Sequence, residues 1–138
     1  TFRENGEYPL VIGAKDSWIK IDTWMNIAAE INTEKLYSAI EGETPFTDED
    51  LVQSFQIWQN CFTDGVFQDG ALGVGMYTDS TDMYQKEGSV PMILNGSWSL
   101  GAYMDSDEQS QEVYNGEGAN HKIFLMDWNN DGKIAPVE

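Results

Sequence analysis

The sequence has little positive charge and almost no cysteine or histidine. Seven Lys and Arg residues stand against 24 Asp and Glu, which gives a formal net charge of −17. This balance repels phosphate backbones and anionic lipid, so it argues against binding to nucleic acid or to a membrane surface. Cys61 is the single cysteine, which excludes an intramolecular disulfide. His121 has no other His or Cys near it in sequence, so neither a zinc site nor a Cys–His catalytic pair is expected.

Long apolar runs are also missing. No segment approaches the roughly 18 apolar residues that a membrane-spanning helix needs, and no signal peptide is expected within the sequence. The 138 residues predict a single domain. Five Trp, six Tyr and six Phe residues are enough to build a core, with aromatic side chains to spare.

Helices dominate the predicted secondary structure. The clearest is the helix that begins near Thr47, because Leu51, Phe55, Trp58 and Phe62 recur at helical spacing. Trp58 and Cys61 lie on its apolar side, which predicts a core position for Trp58 and a buried, unreactive thiol for Cys61. The other predicted helices run from Asp22 or Thr23 to about Glu41, from Asp79 to Glu87, and over 99–105.

Strands are few and scattered. The pattern predicts short strands at 8–12, at Val90–Leu94 and at Ile123–Met126, with loops over 63–78 and 105–120. Three isolated strands do not make a good sheet alone, so we expect partner strands outside this chain. The fold class is therefore predicted as α/β and helix-rich, with residues 1–138 forming a single partial domain.

The most informative motif follows the strand at Val90–Leu94. Asn95-Gly96-Ser97-Trp98 ends this apolar run, and both Asn and Gly tolerate the positive φ of a tight turn. The turn would bring Trp98 to the end of a strand, where open α/β folds place ligands. The stretch from Lys86-Glu87-Gly88 through Asn95-Gly96-Ser97-Trp98 resembles a signature of the extracellular solute-binding proteins that feed ABC sugar importers.

Further segments resemble the same family in the same order. They are the lead-in Phe2–Leu10, the turn Gly13-Ala14-Lys15-Asp16-Ser17-Trp18 and the helix ending Gly65-Val66-Phe67. The resemblance implies a family 1, type II periplasmic-binding-protein-like fold, with this chain as the helical part of the C-terminal lobe and the first lobe and hinge return outside it. It also implies a non-enzymatic sugar receptor, extracellular or periplasmic and lipid-anchored, that delivers its ligand to a membrane permease. A fragment of this kind is expected to expose apolar edges and to self-associate.

Two tryptophans are candidates for sugar binding. A pyranose presents an apolar C–H face that stacks on aromatic rings and a hydroxyl rim that bonds polar groups. Both Trp18 and Trp98 are predicted in loops with polar neighbours, although either ring could instead fill the core. Tyr77 and Tyr103 are further aromatic candidates, with a core position favoured for each. The predicted ligand-binding residues are Lys15, Asp16, Trp18, Asn95, Gly96, Ser97 and Trp98.

The C-terminal segment Asp127–Glu138 fits the ligand template of an EF-hand calcium loop. Oxygen donors stand at its first, third and fifth positions, Gly132 at the sixth and Glu138 at the twelfth. The predicted calcium ligands are Asp127, Asn129, Asp131, Lys133 through its carbonyl, and Glu138. The same residues also favour a solvated turn between two strands, and the preceding segment reads as a strand and not as an EF-hand helix.

Two alternatives to sugar transport follow from these patterns. One is a calcium-binding interaction module built on the C-terminal loop. The other is a glycoside hydrolase fragment, which needs two carboxylates such as Asp79 and Asp82, although the abundance of acidic residues makes any one pair uninformative. Residues Gly70 to Gly75 are glycine-rich, but no Lys-Ser or Lys-Thr follows them, so a phosphate-binding loop is not expected.

Overall fold

The structure is a computed structural model that describes residues 2–85, 90–102 and 124–134. It is helix-rich and carries a small parallel sheet of two strands, which is a mixed α/β fold, as predicted. The helices are α1 (Ser17–Ile40), α2 (Glu49–Thr63) and α3 (Asp79–Gln85), and the strands are β1 (Leu10–Val11) and β2 (Met92–Ile93). Short 3-10 helices form at Arg3–Asn5, Ala71–Gly73 and Ser97–Ala102.

These residues divide into two compact units. The first comprises the described residues up to Ile93 together with those from Met126 onward, and it holds all three helices and both strands. The second comprises the described residues between Leu94 and Leu125. None of the helices in the described ranges has both the length and the apolarity to span a membrane.

Strand β1 has a partner on each side. It pairs in parallel with β2, with Leu10 opposite Met92 and Val11 opposite Ile93. On its other side Leu10 forms a bridge with Phe67. The buried Gln68 side chain extends this pairing, because its Nε2 donates to the Ile12 carbonyl at 2.7 Å and its Oε1 accepts from the Ile12 N–H at 3.0 Å. A side-chain amide thus satisfies the backbone groups that a third strand would otherwise satisfy.

The third predicted strand is wrong over the residues that the structure describes. Phe124, Leu125 and Met126 form no strand, and Phe124 and Leu125 are exposed. Their apolar run suggested a buried strand, but in the described part of the chain the position beside β1 opposite β2 is taken by Phe67 and Gln68. Ile123 lies outside the described residues.

Helix α1 begins at Ser17, several residues before the predicted start at Asp22 or Thr23. Its first turns bury Ile19 and Thr23, and the Thr23 hydroxyl bonds back to the Ile19 carbonyl. The helix is interrupted at Asn32, whose φ of −161° and ψ of 93° are not helical. The Asn32 carboxamide oxygen accepts the Lys35 N–H, so this residue starts the second half of α1 as an N-cap does.

The core between α1 and α2 is made of small and aliphatic side chains. Ala28, Leu36, Ala39 and Leu51 are buried there. The aromatic stripe of α2 is less buried than predicted, because Phe55 is exposed and Trp58 and Phe62 are half-buried. The buried residues of α2 are Leu51, Ser54 and Cys61.

Trp24 explains why the buried face of α2 is rotated away from its aromatic stripe. Its ring comes from α1 and donates Nε1–H to the buried Ser54 hydroxyl at 2.9 Å. Phe55 stacks on this ring with centroids 4.5 Å apart. The small Ser54 side chain leaves room for the indole, and Phe55 then covers its outer side. Trp58 packs edge-on against Phe62, and its own Nε1–H is buried with no hydrogen-bond partner among the described residues.

Two local predictions on α2 can be compared directly with the structure. The helix is capped by Asp48, whose side chain accepts the Asp50 N–H, and not by Thr47. Cys61 is a buried free thiol, as predicted. Burial raises the pKa of Cys61 to about 11, and the negative charge of Asp64 contributes to the rise. The thiol therefore stays protonated at neutral pH and is a poor nucleophile.

Candidate functional site

The best-defined candidate site lies where the chain leaves β1 and enters α1. The segment before α1 packs directly on the backbone of residues 74–76. Gly13 makes this approach possible, since a Cβ at this position would collide with the backbone of Met76 and Gly75. The Lys15 N–H donates to the Val74 carbonyl at 3.0 Å. Two chain segments far apart in sequence are thus held in backbone contact.

Asp16 fixes the two segments to each other. Its carboxylate accepts the Met76 N–H at 2.8 Å. Although Asp16 occupies the N-cap position of α1, its side chain makes no capping hydrogen bond to that helix. One oxygen of the carboxylate that was predicted to bind ligand therefore holds the neighbouring loop in place. Whether ligand also reaches Asp16 stays a prediction.

The loop is held from its far side as well. The Asp79 carboxylate accepts the Gly75 N–H at 2.9 Å, and the buried Ser80 hydroxyl donates to the Met76 carbonyl. The Met76 side chain is fully buried. These contacts give Asp79, one of the two carboxylates considered for hydrolysis, a structural role. They also join residues 75 and 76 to Asp79 and Ser80, and so hold the chain on both sides of Tyr77.

Trp18 and Tyr77 form an aromatic pair on this frame. Their ring centroids are 6.1 Å apart and the ring planes differ by 28°, which is a stacked arrangement. Tyr77 is 63% exposed, and Trp18 is half-buried. Lys15, just before α1, is exposed beside them in sequence. A stacked aromatic pair with one exposed ring and polar neighbours is the kind of surface on which a sugar ring stacks.

Two sequence predictions about this pair are corrected. Trp18 lies in the first turn of α1 and not in a loop, because α1 begins earlier than its apolar stripe suggested. Tyr77 is exposed and not a core residue, because Met76 beside it takes the buried position. The glycines at 70, 73 and 75 predict that this segment is a loop. They do not predict which of its side chains is exposed, because that depends on the distant hydrogen bond between the Asp16 carboxylate and the Met76 N–H.

The Asn95–Trp98 motif belongs to the second unit. The Asn95 carboxamide oxygen accepts the Gly96 N–H at 2.8 Å, and the Ser99 N–H donates to the Gly96 carbonyl at 3.0 Å. Trp98 is 58% exposed, so it does not fill a core. Ser97 is exposed and Asn95 and Gly96 are partly buried. That these four residues bind ligand stays a prediction.

The mechanism predicted for the Asn95-Gly96 turn is wrong. Neither residue has a positive φ. The Gly96 backbone is instead in contact with the six-membered ring of Trp98, so a Cβ at this position would require the ring to move. Parts of the expected motif, Lys86-Glu87-Gly88, lie outside the described residues, as do Tyr103 and His121.

The Asp127–Gly132 segment folds into a compact loop. Asp127 accepts the N–H groups of Asp131 and Gly132 at 3.1 and 2.9 Å, and Asn129 accepts the Asp131 N–H at 3.0 Å. The left-handed residues within it are Asn130 and Gly132, with φ of 58° and 81°. Among the described residues no three His, Cys, Asp or Glu side chains group closely enough to hold a metal. Glu138 lies outside the described residues, and Lys133, whose N–H donates to Asp131, is exposed.

Glu30 attaches this loop to α1. Its two carboxylate oxygens accept the backbone N–H groups of Trp128 and Asn129 at 2.7 and 3.3 Å, and the Trp128 Nε1–H donates to Asn26 at 3.2 Å. Burial raises the pKa of Glu30 above its ordinary value, and the adjacent charge of Asp127 adds to the rise, while the two backbone hydrogen bonds act in the opposite direction. No local pattern predicts this anchor, because it joins residues about a hundred positions apart.

The comparisons with known proteins give one informative likeness. No protein-family model matches the sequence. No curated protein matches it either. A solved structure titled "Chitin oligosaccharide binding protein" superposes with a TM-score of 0.66 at 21% sequence identity. The likeness is one of fold. It covers 76% of this chain but only 26% of that protein, so the chain spans about a quarter of its length.

Proposed function

We propose that this chain binds carbohydrate and that the Trp18–Tyr77 pair is a platform for a sugar ring. The observation that carries the proposal is the stacked pair of the exposed Tyr77 and the half-buried Trp18, on a backbone frame held by Asp16, Asp79 and Gly13. Rigid aromatic groups lose little conformational entropy on binding, and their faces suit the C–H side of a pyranose. The shared fold with a chitin oligosaccharide binding protein supports a carbohydrate as the ligand class.

The finer proposal is a sugar receptor of an ABC importer. On this proposal the chain is part of the C-terminal lobe of a type II, family 1 solute-binding protein, and its partner is the membrane permease. This proposal is supported by three motifs that occur in the same order as in that family: Phe2–Leu10, Gly13–Trp18 and Asn95–Trp98. We further propose that the protein has no catalytic activity and that a lipid anchor holds it outside the cell or in the periplasm. Trp98 is proposed to contact the ligand as well. Self-association of the isolated chain is part of the same proposal.

The test compares two tyrosines of similar exposure. Tyr77→Ala removes half of the proposed platform, whereas Tyr37→Ala removes a tyrosine of α1 that is 46% exposed. By isothermal titration with chitin oligosaccharides and other neutral sugars, we expect Tyr77→Ala and Trp18→Ala to weaken binding by about 1–3 kcal/mol, and Tyr37→Ala to leave it unchanged. Binding that survives both platform variants, with the fold intact by circular dichroism, would overturn the assignment.

A second candidate function is calcium binding by the Asp127–Glu138 loop. The observation that favours it is the compact form of the loop, in which Asp127 accepts the N–H groups of Asp131 and Gly132 and Asn129 accepts the N–H of Asp131. Asp127, Asn129, Asp131, the Lys133 carbonyl and Glu138 would supply the oxygen ligands that calcium prefers. Coordination by the loop would also order its attachment to Glu30.

Calcium titration of the wild-type chain and of Asp131→Asn tests this candidate. The control is Asp69→Asn, which removes an equal charge from a residue that is paired with Arg3 at 3.6 Å and lies outside the loop. We expect saturable binding that Asp131→Asn weakens and Asp69→Asn preserves. Equal weakening by both variants would mean that calcium is only screening the acidic surface.

A further inference from the structure

A cleft lies at the C-terminal end of α2, and none of the residues that line it is proposed to bind sugar. It has a volume of about 310 Å³, which is at the lower end of the range for small-molecule sites. All of its lining residues belong to the first unit. They are Ile57, Asn60, Cys61, Asp64, Val66, Met126, Asp127 and Trp128.

The wall formed by Trp128 is held in position by α1. The Trp128 indole N–H donates to Asn26, and its backbone N–H donates to Glu30. Both hydrogen bonds point to α1, so the ring that lines the cleft is oriented before any ligand arrives. An oriented aromatic face attracts cations through its quadrupole, and it packs well against an apolar stem.

Among the described residues that line this cleft, the charged side chains are both acidic. They are Asp64 and Asp127, and no Lys, Arg or His of the described ranges lines it. In the described part of the chain neither aspartate takes part in an ion pair, and Arg3, which packs beside Gly65, is paired with Asp69 instead. The raised pKa of the Cys61 thiol, caused mainly by burial, also reflects the negative charge of Asp64 nearby. The Asp127 oxygens accept N–H groups of their own loop, which leaves the negative charge in place. The two carboxylates therefore favour a cation over an anion.

The apolar part of the lining indicates what the ligand carries besides its charge. Ile57, Val66 and Met126 contribute aliphatic or thioether surface, and the buried Cys61 contributes a neutral thiol. A bare metal ion would gain nothing from this surface, whereas a short hydrocarbon chain would bury against it. From this combination we propose that the cleft binds a small organic cation, an ammonium group carried on an apolar stem, with Asp64 and Asp127 holding the charge and Trp128 the stem.

The experiment uses n-butylammonium as the probe, with 1-butanol and butyrate as neutral and anionic probes of similar size. Two-dimensional NMR of the ¹⁵N-labelled chain in calcium-free, low-salt buffer follows the Trp128 indole N–H and the Cys61 amide. We expect n-butylammonium to shift both signals in a saturable way. We expect 1-butanol to bind with an affinity at least about twofold weaker, and butyrate to cause no shift. Added salt should weaken the ammonium interaction.

Two charge variants complete the test. Asp64→Asn removes one carboxylate of the cleft, and Glu49→Gln removes an equal charge at the opposite end of α2. Asp64→Asn should weaken n-butylammonium binding about two- to fivefold, and Glu49→Gln should leave it unchanged. Equal affinity for butanol and butylammonium, equal effects of the two variants, or absence of a saturable shift would each overturn the proposal. None of these readouts depends on sugar binding, so the two proposals fail separately.

Discussion

The Asp16 carboxylate accepts a 2.8 Å hydrogen bond from the backbone N–H of Met76, sixty residues further along the chain. This bond joins the start of α1 to the loop that carries Tyr77. Because Trp18 follows Asp16 and Tyr77 follows Met76, the same bond sets the distance between the two aromatic rings. The platform therefore depends on a residue that need not touch the ligand.

Removal of this bond should loosen the platform. Asp16→Ala leaves the Met76 N–H without its partner, and we expect the free energy of unfolding to fall by about 1–2 kcal/mol. Sugar affinity should fall as well, since Tyr77 loses its fixed position. Urea denaturation and sugar titration measure the two effects. Asp22→Ala, an exposed aspartate of α1, is the control and should change neither.

Gly13→Ala should be far more damaging than a glycine substitution in open space. A Cβ at Gly13 would overlap the Met76 backbone, so the two segments must separate, and we expect a loss of about 2–4 kcal/mol or more in stability. Gly73→Ala is the matched control, because nothing lies within 4 Å of its Cβ position. Thermal unfolding of both variants checks this. Similar midpoints for the two would contradict the close packing described for Gly13.

Gln68 should contribute strongly to the stability of the fold, because its side chain completes the hydrogen bonding beside β1. Gln68→Met keeps the length of the side chain but leaves the N–H and carbonyl of Ile12 unpaired in a buried position. We expect a loss of about 2–4 kcal/mol, the scale of two unsatisfied buried backbone groups. Gln59→Met, on the exposed side of α2, is the control and should cost little. The measurement is chemical denaturation followed by circular dichroism.

The junction of α1 and α2 should weaken in acid. The Lys35 ammonium lies 2.8 Å from Asp48 and 3.0 Å from Asp50, and Asn32 donates to Asp50 as well. The hydrogen bonds from Lys35, and then from Asn32, lower the pKa of Asp50 below its ordinary value of 3.8. A carboxyl whose pKa is lower in the folded state stabilises the fold at neutral pH, and this contribution is lost as the pH falls through that lowered pKa.

The variant Lys35→Met tests this junction. Its midpoint should lie roughly 1–3 °C below that of the wild-type chain at pH 7, the scale of an exposed ion pair. The difference should shrink as the pH falls from 3.8 through the lowered pKa of Asp50, because the carboxylate then loses the charge that pairs with Lys35. Thermal scans between pH 7 and pH 2 check this, and a difference that stayed constant over the whole range would contradict it.

The parts of the fold that the sequence predicts are those with local causes. Asp48, Glu49 and Asp50 before an apolar stripe predict α2 to within two residues of its start. The predicted end of α1 near Glu41 is one residue beyond the observed end at Ile40. The predicted start of α1 is too late, because the first turns bury only one aliphatic side chain, Ile19, together with the hydroxyl-bearing Thr23.

The candidate site was predicted only in part, because its geometry comes from contacts over long sequence separations. The sequence singled out Lys15, Asp16 and Trp18, and the structure places these residues together at the start of α1. The sequence named Tyr77 as a further aromatic candidate but favoured a core position for it, because the exposure of Tyr77 depends on the hydrogen bonds that Asp16 and Asp79 accept from its neighbours. Glu30 was missed for the same reason, since its partners Trp128 and Asn129 lie at the other end of the chain.

Carbohydrate binding is the central claim, and a direct binding screen tests it best. The chain is titrated calorimetrically with neutral mono- and oligosaccharides, chitin oligosaccharides among them, with and without calcium. The account predicts reversible, saturable binding of at least one sugar with no release of hydrolysis products, and protection of Trp18 and Tyr77 in the complex. Stabilisation by calcium alone, with no sugar bound, would contradict it.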